Sequence, residues 1–183
     1  MIYMIFMFMG KRYLIGPETR IDLYLNMEVD VTKFQSPVKQ DIGFMSVGFG
    51  WVFDRLYTSG FNASWWKPNL VIKDTVRNRE VPLNVFQLGL EMGIIPFSSF
   101  VIHPMIYAEG GIGFTSDARD GTGYEDIFVH FTPSFSLEMN ITPNMKMGIR
   151  GGYTYVMDLN PENTDMGSIQ GSRWGMFLKF SGY

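Results

Sequence analysis

Residues 126–157, DIFVHFTPSFSLEMNITPNMKMGIRGGYTYVM, constrain the fold of this chain more than any other stretch. Ile127, Val129, Phe131, Phe135, Leu137, Met139 and Ile141 stand at alternate positions and are bulky and apolar. Between them, Phe128, His130, Thr132, Ser134, Ser136, Glu138 and Asn140 are mostly polar or small. A period of two belongs to a strand, whose successive side chains point to opposite faces. Thr142-Pro143-Asn144 reads as a tight turn. Beyond it Met145, Met147, Ile149, Tyr153 and Tyr155 alternate with Lys146, Gly148, Arg150, Gly152 and Thr154. The stretch predicts a long antiparallel hairpin.

Alternation does not say which face meets water, because soluble and membrane barrels share the same period. The residue types on the small face decide. A solvated face collects Lys and Glu, whereas this one holds Gly148, Gly152, Thr132, Ser134 and Ser136 with isolated charges, as a crowded polar interior would. The bulky face is then expected to meet lipid. Composition agrees: 16% of residues are aromatic and 18% charged, yet mean hydropathy is only +0.02. Strands that are half apolar and half polar give that average.

The other segments repeat the pattern. In residues 20–33, Ile21, Leu23, Leu25, Met27, Val29 and Val31 alternate with Asp22, Tyr24, Asn26, Glu28, Asp30 and Thr32. Residues 35–40 read as a loop, followed by a second strand in which Met45, Val47, Phe49, Trp51 and Phe53 oppose Ser46, Gly48 and Gly50. Asp54-Arg55 is a short connection to a third strand over residues 56–66. Residues 67–80 are rich in charge and predict a long loop. Strands four and five, near residues 82–95 and 102–114, flank a tight turn at residues 96–99. Polar residues 116–125 lead into the hairpin, residues 158–171 form another loop, and residues 172–183 make the last strand. Pro104 and Pro133 fall inside strands and predict bulges or locally broken pairing.

The expectation is therefore an all-β fold, an eight-stranded antiparallel up-and-down transmembrane β-barrel over residues 20–183. Residues 1–19 read as a separate N-terminal segment, either a signal remnant or an extra membrane-contacting stretch. Connections alternate short and long, which with an even strand number puts both termini on the short-turn side. Aromatic residues gather near strand ends, and Trp51, Trp65, Tyr153, Tyr155, Trp174 and Phe180 are expected at the lipid interfaces. With these features and the aromatic closing strand RWGMFLKF, the chain resembles the small eight-stranded outer-membrane barrels, the OmpA-transmembrane and OmpX-like class of Gram-negative bacteria. The resemblance implies residence in the outer membrane among its lipids; the role expected there is non-enzymatic, either structural, in membrane integrity, or one of surface interaction through the four longer loops, whose partner would be a surface or envelope protein.

Several chemistries are weighed against this. Net charge of −3 gives no basic footprint for nucleic acid, and no cysteine is present for disulfides or thiolate chemistry. On the inward face Glu28, Asp30, Glu91, Glu109, Glu138, Lys146, Arg150 and Arg173, with Asp22 and Lys179, are expected to pair as a structural network plugging the lumen. The alternative is a narrow channel or transporter for a small or hydrophobic solute. His130, Ser134 and Glu138 share one face and invite comparison with a barrel lipid hydrolase. Positions four apart on a strand lie about 13 Å apart, too far for a proton relay. His103 is expected to be a satisfied interior histidine. Asp117, Asp120, Glu125 and Asp126, like Asp158, Glu162 and Asp165, read as solvated acidic loops rather than calcium sites. No catalytic residue, cofactor or metal is expected.

Overall fold

The computed structural model describes residues 20–35, 39–67, 70–74, 79–119, 125–159 and 168–181, and among these every regular element is a strand. The strands are β1 (Ile21–Phe34), β2 (Asp41–Phe53), β3 (Tyr57–Lys67), β4 (Leu70–Asp74), β5 (Arg79–Ile94), β6 (Ile102–Asp117), β7 (Asp126–Thr142), β8 (Met145–Met157) and β9 (Ile169–Ser181). All neighbours are antiparallel. The order runs β3-β2-β1-β9-β8-β7-β6-β5-β4, and β3 also pairs with β5, which closes the wall. Because β3 and β4 occupy successive stretches of the same edge of β5, nine strands make eight staves.

Stepping from partner to partner around the wall starts at Tyr24 and passes Gly50, Gly60, Glu91, Glu109 and Thr132. It continues across the Thr132–Thr154 hydrogen bond to Gly171 and returns to β1 at Phe34, ten residues beyond the start. This stagger tilts the staves by about 35–45° from the barrel axis.

Strand bounds agree with the alternation to within a few residues at most ends. The exception is residues 67–80, predicted to be a loop. There β4 and the start of β5 continue the hairpin, with Leu70↔Leu83 and Ile72↔Val81 as pairs. Leu70, Ile72, Asp74, Val81 and Leu83 are buried while Val71, Lys73 and Glu80 are exposed, so the period of two persists beneath the charges, with Arg79, the partner of Asp74, as the exposed exception on the inward face. Between Trp65↔Phe86 and Leu70↔Leu83 the register slips by two residues, and the ladder is interrupted.

The three short connections lie at one end with Arg20 and Ser181. At Asp54-Arg55 both residues have positive φ, 51° and 58°, and Leu56 N–H donates to the Phe53 carbonyl at 2.9 Å. That is the mirror-image turn that matches hairpin twist, made here without glycine. Pro104 pairs with Leu137 in unshifted register, beyond the Ile94↔Ile106 end of the β5 ladder, so β6 has a single neighbour there. At Pro133 the β7–β8 register carries through unshifted, but the ladder skips from Phe131↔Tyr155 to Ser134↔Gly152. The one shift in that pair comes instead between Asn140 and Thr142, beside the turn.

The outward face is an uninterrupted apolar belt. Leu23, Met45, Phe61, Leu90, Ile106, Phe131, Ile149 and Met176, each from a different stave, are all exposed. A belt of this extent is far larger than the apolar patches of soluble monomers, and in a closed barrel it is the surface that faces lipid.

Candidate functional site: the charged and plugged lumen

The inward face holds three layers, beginning at the short-turn end. There Glu138 accepts from Lys179 Nζ at 2.5 Å and faces His103 Nε2 at 3.1 Å, with Lys146 Nζ at 3.8 Å. The other ring nitrogen of His103 meets the Phe100 carbonyl at 3.1 Å, so both its nitrogens are used. A small apolar cluster, Tyr24, Val52, Ile95, Met105 and Tyr107, fills the space beside these groups.

The middle layer is built on two arginines. Arg150 Nη1 donates to Glu28 at 2.6 Å, Nη2 donates to the Tyr107 hydroxyl, and its guanidinium lies 3.9 Å from the Tyr107 ring centroid. Arg173 donates twice to Asp30 Oδ2, at 2.5 and 2.8 Å, and once to Glu109 at 3.2 Å. Glu91 accepts from the Tyr24 hydroxyl and, at 3.1 Å, from the Tyr107 hydroxyl. Glycine makes room for this layer. A Cβ on Gly50 or Gly60 would collide with the Tyr24 phenol, and one on Gly175 would overlap the Asp30 carboxylate. All of these charged groups are buried: Glu28, Asp30, Glu109, Arg150 and Arg173 have exchanged water for ionic partners, and Glu91 for two tyrosine hydroxyls.

Toward the long-loop end the lumen is apolar. Phe34, Ile42, Phe44, Trp66, Leu70, Ile72, Val81, Leu83, Val85, Phe128, Val156, Leu159 and Ile169 form one buried cluster. Trp66 is its centre, with ring centroids of Phe44, Phe34 and Phe128 at 4.9, 5.3 and 6.0 Å. This plug departs from the uniformly polar interior expected above. Its sequence signal is the loss of alternation at strand ends, as in Trp65-Trp66, Val85-Phe86 and Ile127-Phe128-Val129, where both faces are apolar.

The structure therefore brings together Glu28, Asp30, Glu91, Glu109, Arg150 and Arg173 in one layer and Glu138, Lys146 and Lys179 in another. It does not assemble His130, Ser134 and Glu138. His130 Nδ1 lies 3.9 Å from Glu109, whereas Glu138 belongs to the layer of Lys179 and His103. Asp117 is held by Arg119 through three hydrogen bonds of 2.9–3.1 Å. Among the described residues no group of carboxylates and histidines has metal-binding geometry. Asp120, Glu162 and Asp165 lie outside the described residues, as do residues 1–19.

Of the aromatic residues expected at the interfaces, Trp65, Tyr155, Trp174 and Phe180 are exposed and Trp51 and Tyr153 half-buried. Trp65 packs on Phe86 with ring centroids 5.4 Å apart, and Tyr153 on Tyr155 at 5.0 Å. The partners that periodicity did not single out are Tyr24 and Tyr107. Their inward positions were legible, but not their convergence on Glu91 from separate staves.

An eight-stave antiparallel barrel with an apolar exterior and an ion-paired layer inside its lumen is a transmembrane β-barrel with the architecture of the small Gram-negative outer-membrane barrels. Solved structures with the same fold include neisserial surface protein A, 11% identical, with a TM-score of 0.64 over 86% of this chain and 96% of that one. The outer membrane enzyme PagL is 12% identical, with a TM-score of 0.53 over 85% and 98% of the two chains. OprG of Pseudomonas aeruginosa is 9% identical, with a TM-score of 0.50 over 89% and 96%. No protein-family model and no curated protein matches the sequence. At such identities the likeness concerns the fold, which this chain shares with a surface protein and with an enzyme alike.

Proposed function

We propose that this chain is a non-enzymatic barrel of a Gram-negative outer membrane, serving as a rigid closed scaffold that displays its longer connections at the cell surface. The observation that carries this reading is the doubly blocked lumen. Buried ion pairs around Arg150 and Arg173 lie beneath an apolar plug centred on Trp66, and an eight-stave barrel is narrow enough for side chains to fill it. Interaction then falls to the long-loop end, where the β4–β5 hairpin presents Lys73 and Glu80 on its outward face and exposes Arg79 as well. Aromatic residues at the wall, including Trp65 and Trp174, serve as interface anchors.

Planar-bilayer recording of the purified protein tests the closed lumen. The expectation is a baseline without stable unitary steps, and a large persistent open state would overturn it. Incubation with acylated lipid substrates tests the enzymatic rival, since release of fatty acid above an uncatalysed control would refute the scaffold reading.

A further inference from the structure

The short-turn end of the barrel carries charge that neither a scaffold nor a sealed lumen requires. Lys146 on β8 and Lys179 on β9 stand directly opposite each other, and like charges so placed repel. Both turn to one carboxylate, Glu138, and share it unequally. Lys179 takes it at 2.5 Å and His103 meets it at 3.1 Å, whereas Lys146 stays at 3.8 Å, beyond hydrogen-bond reach. A cavity of about 370 Å³ opens beside these groups, at the mouth of the barrel. Arg55 lines it together with Lys146 and forms no ion pair among the described residues. Asp22, the one carboxylate in the lining, is taken by Arg20 at 3.2 Å. Among the described residues at this end, Arg20, Arg55, Lys146 and Lys179 stand against Asp22, Asp54 and Glu138, an excess of one positive charge.

We propose that this mouth binds a singly charged carboxylate borne on a small apolar group, as at the end of a peptide or in a short-chain acid. Arg55 offers a planar fork that matches a carboxylate, and Lys146 an ammonium whose donors Glu138 does not engage at hydrogen-bond distance. The hydroxyls of Ser98 and Ser181 in the lining add neutral donors. Val52 and Ile95, both buried, give the apolar group a surface to rest on. The excess charge selects a monoanion, because a second negative charge would stand uncompensated near Asp22 and Glu138. The volume selects an organic one, since a single water-sized occupant fills only about 30 Å³. Arg55 is exposed, so the occupant arrives from water and not from the bilayer.

The mouth lies at the opposite end of the barrel from the connections assigned to the surface, so a failed titration here would leave the scaffold reading standing. Acetyl-alanyl-alanine, its C-terminal amide, butyrate and inorganic phosphate are titrated at constant ionic strength into the folded protein in neutral maltoside micelles, and backbone amide shifts are followed by NMR. Saturable shifts at Ser98, Asn140 and Ser181 are expected with the acid peptide or with butyrate, at a Kd on the order of 1–10 mM. The tighter of the two names the source of the carboxylate, and the amide and phosphate should bind at least tenfold more weakly. Arg55→Gln should weaken binding tenfold or more, Arg55→Lys should retain most of it, and Asp22→Asn should tighten it. Lys73→Gln, at the far end of the wall, should change nothing. If Arg55→Gln fails to give the folded band on gels, Lys146→Gln carries the same expectation, and the comparison of acid with amide on the unaltered protein decides in either case. Equal binding of acid and amide, tighter binding of phosphate, full binding by the Arg55→Gln variant, or no saturable shift with either carboxylate would overturn the site.

Discussion

Arg173→Met is the most informative perturbation of the lumen. Arg173 bridges two carboxylates from opposite parts of the wall, Asp30 on β1 and Glu109 on β6, through contacts of 2.5, 2.8 and 3.2 Å. At an effective dielectric of about 20, unit charges about 4 Å apart attract by roughly 4 kcal/mol, so two such attractions are lost together. Methionine fills much of the volume but leaves both carboxylates buried, and neither recovers its hydration. Arg150 in the same layer and water entering the vacated space offset part of this. Removing one member of a buried pair costs about 3–5 kcal/mol, and the gross attraction to a single carboxylate already falls in that range. Arg173→Met should therefore destabilise the barrel by about 4 kcal/mol. Combining it with Asp30→Asn and Glu109→Gln should recover most of that loss, because the stranded charges disappear. Reversible urea unfolding in lipid vesicles, followed by tryptophan fluorescence, measures both. A single variant within about 1 kcal/mol of the original, or a triple variant no better than the single, would refute the claim that this layer stands by charge pairing.

Other outcomes follow from the packing. Leu137→Arg on the outward face of β7 should cost on the order of 2–4 kcal/mol if that position lies near the bilayer midplane, and a neutral value in the same unfolding assay would count against lipid exposure. Phe128→Ala hollows the plug and should cost about 3–5 kcal/mol, while bilayer recordings stay closed because the ion-paired layer beneath is untouched. Gly60→Val places a side chain against the Phe49 carbonyl, the Gly50 Cα and the Tyr24 phenol. It should shift the folded, heat-modifiable band on gels toward the unfolded form, and an undiminished folded band would show that the wall yields there.

What the sequence by itself determined is the part of the fold governed by a local rule. Alternation along one strand assigns each side chain to a face, so Glu28, Asp30, Glu138, Arg150 and Arg173 were legible as inward and Leu25, Leu137 and Met176 as outward before any pairing was known. Loop lengths added strand parity and the end at which the termini meet. Charge hid β4, because Lys73 and Glu80 on the outward face, with Asp74 and Arg79 on the inward one, mask the inward row Leu70, Ile72, Val81 and Leu83. Which acid meets which base was beyond reach of the sequence. Partnership depends on the stagger of the closed wall, which sets residues up to 143 positions apart against one another, as in Arg173 with Asp30. The plug is likewise tertiary, since it gathers residues from several staves at one height along the axis. Tilt and closure decide that height, and neither is a property of any single strand.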